Sequence, residues 1–184
     1  FCLKKNYTNN KLDIPKSNLI SCLIGGQNQH YHFNKDEAEK LCERLLDLKK
    51  NNPNRNLLII TSRRTGESVK KLILNKMKDK AIIWTGEGKN PYSFAIENSE
   101  IFIITSDSTS MISESAITGN PIYIFNLPYK RRSKRLESFH KEFKRLNITR
   151  DFENITLLDK WNYKPLNETK RIAGIIKQRI IEGI

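Results

Sequence analysis

Five segments rich in glycine, hydroxyl or charged residues follow four apolar runs along this chain of 184 residues: Gly25–Gly26, Ser62–Arg64, Gly86–Glu87, Asn90–Tyr92 and Ser106–Ser108. Guanidinium groups donate forked hydrogen bonds to phosphate oxygens, and glycine lets a backbone amide approach a phosphate closely. Together these residue types predict a site for an anionic, phosphate-bearing ligand. A plain polar turn is the alternative for each segment taken by itself.

The adjacent arginines Arg63 and Arg64 are the strongest candidates for contacts with phosphate oxygens. Surface salt bridges are the competing interpretation of this pair. Gly25 and Gly26 also allow two interpretations: their amides could face a phosphate, or the two glycines could simply form a tight turn. Neither a GxGxxG motif nor a P-loop motif occurs in the sequence, so neither dinucleotide binding nor a P-loop fold is indicated.

Three hydroxyl residues, Ser108, Thr109 and Ser110, open a predicted helix. The unpaired amides and the dipole of a helix start favour an anion, although Ser108 could serve as a simple N-cap. Glu114 lies about two turns into this helix and could accept hydrogen bonds from ribose hydroxyls, or could be solvated. The complete set of candidate ligand-binding residues is Gly25, Gly26, Ser62, Arg63, Arg64, Glu87, Asn90, Tyr92, Asp107, Ser108, Thr109, Ser110 and Glu114.

Short apolar strands alternate with amphipathic helices along the chain. The predicted strands cover 18–24, 57–61, 81–84, 101–105 and 122–125, and the predicted helices cover 34–49, 67–78, 93–98, 109–118, 133–146 and 167–182. Asn34 is predicted to cap its helix together with Glu37, and Thr65 is expected to cap the helix from 67. The last helix carries one apolar stripe, formed by Ile172, Ile175, Ile176 and Ile180.

Strands that are apolar on both faces and separated by helices predict an α/β fold, a Rossmann-like parallel sheet with helices on both faces. The carboxyl ends of parallel strands share one edge, so the five polar segments should converge there on one site. We expect this domain to span residues 18–184, with residues 1–17 forming a linker or the end of a preceding half.

The chain is strongly basic, with 33 Lys and Arg residues against 20 Asp and Glu residues, a net charge of +13. Because the lysines are scattered, a Lys-rich composition explains the charge better than nucleic-acid binding does. The one dense basic run, Lys130–Arg135, could still contact nucleic acid or the surface of a membrane. No apolar run reaches the length of a membrane span.

The cysteines Cys2, Cys22 and Cys42 form neither a disulfide pattern nor a zinc-binding pattern, which favours a reducing, cytoplasmic location. Cys22 lies in an apolar run and is expected in the core. His30 and His32 could chelate a metal from one side of a strand, but no third ligand is nearby. The sequence therefore predicts no metal site.

Read together, several blocks of the sequence resemble the mitochondrial fission ELM family. The blocks are Leu23–Gly26, Thr61–Thr65, Trp84–Tyr92, Thr105–Glu114, Gly119–Pro121, Arg135–His140 and Trp161–Leu166. They occur in the family's order and extend the resemblance from Leu19 to Ile180. The resemblance implies a GT-B type glycosyltransferase architecture, of which this chain would be the C-terminal, nucleotide-sugar-binding half.

The block from Asp107 to Glu114 is also similar to one in UDP-N-acetylglucosamine 2-epimerases. That similarity implies that Ser108 and Glu114 hold the UDP moiety. The epimerases have two glycines where this chain has Thr109 and Ser110, whose side chains could crowd a diphosphate or donate hydrogen bonds to it.

The leading functional hypothesis is a nucleotide-diphosphate-sugar-binding domain of a GT-B type glycosyltransferase-like protein, with a UDP-linked sugar as substrate and no cofactor. No catalytic residue is assigned, and enzymatic activity itself is left open. The alternatives are a UDP-sugar epimerase-like enzyme and a non-catalytic module that recruits proteins. The recruiting module would show an exposed apolar patch near Trp161 and Tyr163, whereas the competing interpretation places Trp161 in the core.

Overall fold

A six-stranded parallel sheet forms the centre of the chain. The computed structural model describes residues 13–153, 155, 157–166 and 168–182. The strands are β1 (Leu19–Ile24), β2 (Asn56–Thr61), β3 (Ile82–Trp84), β4 (Ile101–Thr105), β5 (Ile122–Phe125) and β6 (Thr149–Asp151). The helices are α1 (Lys35–Asn51), α2 (Glu67–Met77), α3 (Tyr92–Asn98), α4 (Thr109–Ser115), α5 (Lys134–Arg145) and α6 (Glu168–Glu182).

The strand order β3-β2-β1-β4-β5-β6 reverses direction between β1 and β4. Ile20 of β1 lies opposite Leu57 of β2 on one side and Ile101 of β4 on the other, and every pairing is parallel. This confirms the predicted Rossmann-like α/β fold. In such sheets the carboxyl ends of the strands beside the reversal form a crevice in which ligands bind.

Two apolar clusters cover the two faces of the sheet. α1 and α2 pack on one face through residues such as Leu41, Leu45 and Ile73, and α3 and α4 cover the other through Ala95 and Ile112. Almost every residue of the central strands is buried, which explains why their sequences are apolar without alternation.

The predicted elements agree with the structure except at three points. β6 is not among the predicted strands, because its three residues are polar or charged and only its neighbours Ile148 and Phe152 are buried apolar side chains. α4 ends at Ser115, three residues before its predicted end. α2 begins after Gly66, so the prediction that Thr65 caps it is wrong.

The Asn34 prediction is confirmed, since its side chain accepts from the amides of Asp36 and Glu37 in a full capping box. Cys22 is buried in the core as expected. Residues 1–12 lie outside the described residues, and so do Cys2, most of the proposed linker and the predicted helix start at 167.

The isoleucine stripe of α6 is exposed at Ile172, Ile175, Ile176 and Ile180. Within the described part of the chain, no helix has the length and apolar character needed to cross a membrane. Nor do these residues contain a group of three or more His, Cys, Asp or Glu side chains placed to hold a metal ion.

Candidate functional site

A cleft of about 1110 Å³ opens at the carboxyl edge of the sheet, between the turns after β2 and β3 and the start of α4. Its volume suits a ligand of nucleotide-sugar size. Nine of the candidate residues line it: Ser62, Arg63, Arg64, Glu87, Asn90, Tyr92, Ser108, Ser110 and Glu114. These nine residues come from separate turns and lie together at one edge of the sheet, as expected from the sequence.

The two adjacent arginines have different surroundings. The Arg64 guanidinium lies 3.0 Å from Oδ2 of Asp107 and donates to the Gly26 carbonyl at 3.3 Å. Arg63 is exposed and forms no ion pair with any described residue. Arg64 is thus held by the protein, whereas Arg63 is available to an anion in the cleft.

Asp107 does not line the cleft. It lies in the crevice between β1 and β4 and holds the turns after β1 and β2 together. Its side chain is 0% exposed, and its Oδ2 accepts from the Gly26 amide at 2.9 Å as well as from Arg64. Its other oxygen, Oδ1, has no hydrogen-bond partner among the described residues. Burial raises the pKa of Asp107 above its ordinary value, against the lowering effects of the Gly26 amide and Arg64.

Gly25 and Gly26 are used for close packing inside the protein. The Gly25 amide donates to the Thr105 hydroxyl at 2.8 Å, and the Gly26 amide is taken by Asp107. A Cβ at Gly25 would lie 2.1 Å from Oδ2 of Asp107, and one at Gly26 would lie 2.2 Å from the Arg64 carbonyl oxygen. Only glycine fits at either position, and the turn explanation accounts for both residues.

The turn after β2 is fixed by hydroxyl contacts. The Ser62 hydroxyl donates to the Gly25 carbonyl at 2.7 Å and accepts from the Arg64 amide at 3.1 Å. The Thr65 hydroxyl accepts from the Ser62 amide and donates to the Gly25 carbonyl. This is what Thr65 does instead of capping α2, and it sets the position from which Arg63 enters the cleft.

Glu114 and Tyr92 line the cleft side by side and are joined by a hydrogen bond. The Tyr92 hydroxyl donates to Oε2 of Glu114 at 2.5 Å, and the Tyr92 amide donates to Oδ1 of Asn90 at 2.9 Å. Burial, together with the hydrogen bond to Glu114, raises the pKa of the Tyr92 phenol. Tyr92 therefore stays protonated at neutral pH and holds the Glu114 carboxylate, an acceptor for hydroxyl groups, at the cleft.

One face of α2 also lines the cleft, although none of its residues is among the candidates predicted from the sequence. Glu67, Lys70, Lys71 and Leu74 have helical spacing and all line the cleft. Lys70 pairs with Glu67 at 2.7 Å, whereas Lys71 forms no ion pair with a described residue. That spacing was the available signal, and it adds Lys71 to Arg63 as a second unpaired cation.

Gly25, Gly26, Asp107 and Thr109 are the candidate residues that do not line the cleft. Thr109 lines a neighbouring cavity of about 520 Å³ between α4 and α5, which shares Ser110 and Glu114 with the cleft. Ser108 precedes α4 but makes no side-chain capping bond, so its hydroxyl at the cleft is not used by its own helix.

Trp161 lies in the core, as the competing interpretation of this residue has it, and forms no exposed apolar patch. Trp161 is 7% exposed, packs edge-on against Tyr123 with ring centroids 5.0 Å apart, and lies under the Arg150 guanidinium at 4.2 Å. Its indole nitrogen donates to the Asn147 carbonyl at 2.8 Å. Trp161 is a core residue, which removes the feature that favoured a protein-recruiting surface there.

Comparison with known proteins agrees with the resemblance seen in the sequence. The sequence profile described as mitochondrial fission ELM1 matches residues 3–180. This chain belongs to the mitochondrial fission ELM1 family. It is 38% identical over 160 residues to an uncharacterized protein of Rickettsia prowazekii (strain Madrid E), covering 84% of this chain and 45% of that protein.

A second relative of this ELM1-family chain is the mitochondrial fission protein ELM1 of Arabidopsis thaliana, at 28% identity over 170 residues, covering 91% of this chain and 39% of the relative. The chain thus spans less than half the length of these relatives. Among solved structures, the glycotransferase of kitacinnamycin superposes with a TM-score of 0.48 at 16% identity, covering 84% of this chain and 36% of that one. That likeness is too weak to support a functional argument.

Proposed function

We propose that this chain is the nucleotide-diphosphate-sugar-binding domain of a GT-B type glycosyltransferase-like protein. The observation that supports it most is the cleft itself, whose lining includes two cations without an ion pair among the described residues, Arg63 and Lys71, and the Glu114 carboxylate held by Tyr92. An anion and a set of hydroxyls on one ligand match this arrangement, and a nucleoside diphosphate sugar carries both.

The diphosphate would be bound at the side of the cleft that carries Arg63 and Lys71. Both cations lack a partner among the described residues, so binding a phosphate costs no existing ion pair. The free hydroxyls of Ser108 and Ser110 line the same space and can donate to phosphate oxygens. Arg64 would act indirectly, through Asp107.

The ribose would be bound by Glu114. Its carboxylate already accepts from Tyr92, and a carboxylate has further lone pairs for two ribose hydroxyls. Asn90 stabilises the turn that presents Tyr92 through its bond to the Tyr92 amide. Glu114 would therefore bind hydroxyl groups of the ligand, while Arg63 and Lys71 would bind its negatively charged phosphates.

In a glycosyl transfer, negative charge builds up on the diphosphate as the bond from the sugar's anomeric carbon to the phosphate oxygen breaks. Fixed cations close to that oxygen stabilise the developing charge and speed the reaction. Arg63 and Lys71 would have this role. The proposal assigns ligand binding and leaving-group stabilisation to this chain and assigns no general base.

A saturation-transfer NMR titration with UDP tests the proposal. For the wild type we expect saturable transfer to the uracil and ribose protons. For Glu114→Ala we expect the affinity for UDP to fall about tenfold, because a hydrogen bond to a charged group is lost. The matched control is Glu97→Ala on α3, a glutamate that does not line the cleft. An absence of UDP-dependent signal at millimolar ligand would rule the proposal out.

A further inference from the structure

A cavity of about 520 Å³ between α4 and α5, here called the α4–α5 cavity, adjoins the cleft. The two spaces share Ser110 and Glu114 as lining residues, so a ligand bound in the cleft can reach from one space into the other. The volume of the α4–α5 cavity lies in the range of small-molecule sites. The ribose and the diphosphate of the proposed ligand have contacts in the cleft, whereas its sugar has none assigned.

Arg135 of α5 lines the α4–α5 cavity and brings a positive charge to it. It is exposed, and it forms no hydrogen bond or ion pair with any residue that the structure describes. Other basic side chains of the same helix are paired, Lys144 with Asp151 at 2.6 Å and Arg145 with Glu142 at 2.7 Å. The Arg135 guanidinium is therefore available to a ligand.

The one carboxylate among the described lining residues, Glu114, does not offset the charge of Arg135. Its Oε2 accepts from the Tyr92 hydroxyl at 2.5 Å, and it forms no ion pair with Arg135. In the proposed function, Arg63 and Lys71 of the cleft neutralise the two phosphates of the ligand. A ligand that carries a further negative charge on its sugar would therefore complement Arg135.

The walls of the α4–α5 cavity suit a sugar ring. On the α5 side, Leu136 and Phe139 contribute apolar surface, and Phe139 is held by packing against Phe143 with ring centroids 4.2 Å apart. On the α4 side, Thr109 and Ser113 are four residues apart and so share one face of the helix. Their hydroxyls make no hydrogen bond within the described part of the chain. A sugar has both an apolar C–H face and a rim of hydroxyls, which these walls can contact.

We propose that the α4–α5 cavity binds the sugar of the nucleotide sugar and that Arg135 selects a sugar bearing a carboxylate, as a uronic acid does. This inference rests on the proposed function, because the cleft must hold the nucleotide for its sugar to reach Arg135. A guanidinium donates two parallel hydrogen bonds to a carboxylate, a geometry that a neutral hydroxymethyl group cannot match. Arg135 is thus assigned specificity for the sugar and no contact with the diphosphate.

The test compares three ligands by isothermal titration calorimetry with the purified chain: UDP, UDP-glucose and UDP-glucuronate. The two nucleotide sugars differ only at C6, where glucose has a hydroxymethyl group and glucuronate a carboxylate. Each ligand is titrated into wild type, Arg135→Gln and Lys134→Gln. Lys134→Gln is the matched control, since it removes one positive charge beside Arg135 from an exposed side chain that lines neither space.

For the wild type we expect UDP-glucuronate to bind about fivefold more tightly than UDP-glucose, the gain from charge-assisted hydrogen bonds that solvent weakens. In Arg135→Gln the two nucleotide sugars should bind equally, whereas Lys134→Gln should keep the wild-type ratio. UDP itself should bind all three proteins alike. Because the ratio is measured within each protein, a change in the folded fraction cannot produce it. Arg135 has no partner among the described residues, so Arg135→Gln should keep the wild-type melting temperature.

Equal binding of the two nucleotide sugars by the wild type, or a ratio that persists in Arg135→Gln, would overturn the inference. A ratio that is lost equally in Lys134→Gln would also overturn it, by showing a general effect of charge rather than a contact. If Arg135→Gln weakens UDP itself as much as UDP-glucuronate, Arg135 binds the diphosphate, and the inference fails while the proposed function stands. If UDP does not bind at all, the proposed function fails and the inference fails with it.

Discussion

Replacing Arg64 by Gln should destabilise the chain, whereas the same change at Arg63 should not. Arg64 is the cation that compensates the Asp107 carboxylate, whose side chain is 0% exposed. Removing one member of a fully buried ion pair costs about 3–5 kcal/mol. Because the Arg64 side chain is 43% exposed, solvent already weakens this pair, and we expect a loss of about 2 kcal/mol.

For a domain of this length that loss lowers the melting temperature by about 4–8 °C. The assay is urea unfolding of wild type, Arg64→Gln and Arg63→Gln, with Arg63→Gln as the matched control at an expected change within about 0.5 kcal/mol. The reasoning is refuted if both variants lose the same stability, or if Arg64→Gln loses none.

The pH dependence of the same experiment has a fixed sign. Burial holds the pKa of Asp107 above its ordinary value, and removing Arg64 raises it further. The protonated carboxyl needs no cation. The deficit of Arg64→Gln should therefore be fully present at neutral pH and should shrink as the pH falls through the folded-state pKa of Asp107. A deficit that grows on acidification would contradict this account.

Three further predictions concern other parts of the fold. Gly26→Ala should cost more than about 3 kcal/mol in urea unfolding, because its Cβ would lie 2.2 Å from backbone, while Gly66→Ala, with nothing within 4 Å, should cost less than about 1 kcal/mol. Equal costs would contradict that packing argument. Burial depresses the pKa of His140, so the unfolded state takes up a proton before the folded state does as the pH falls below about 6.5. Stability should then decline with falling pH more steeply in wild type than in His140→Gln, and identical slopes in pH-dependent unfolding would exclude it. Trp161→Ala should lower the free energy of unfolding by about 3 kcal/mol by removing a buried indole, and a neutral result would mean that Trp161 is not part of the core.

Much of the fold could be predicted from the sequence because apolar strands and helical spacing are local signals. The strands at 101–105 and 122–125 have the predicted bounds. β6 escaped prediction because its three polar residues carry no apolar pattern, and pairing with β5 alone makes it a strand. Convergence of the polar turns followed from one rule about parallel sheets, and the cleft obeys it.

The roles within the candidate site depended on contacts between distant residues. Arg63 and Arg64 are neighbours of the same type, and only the position of Asp107, 43 residues after Arg64, separates a structural arginine from a free one. The same carboxylate takes the amide of Gly26. No local sequence pattern shows which polar groups are already paired in the folded chain, because the partners are distant in sequence and meet only in the fold.

A crystal structure of the chain soaked with UDP tests the central claim most directly. The account places the diphosphate within hydrogen-bond distance of Arg63 and the Ser108 hydroxyl, with the ribose hydroxyls on Glu114. Arg64 should remain on Asp107. Well-ordered UDP bound elsewhere on the chain, or an empty cleft at saturating UDP, would contradict the claim that the turns at this edge form a nucleotide-sugar site.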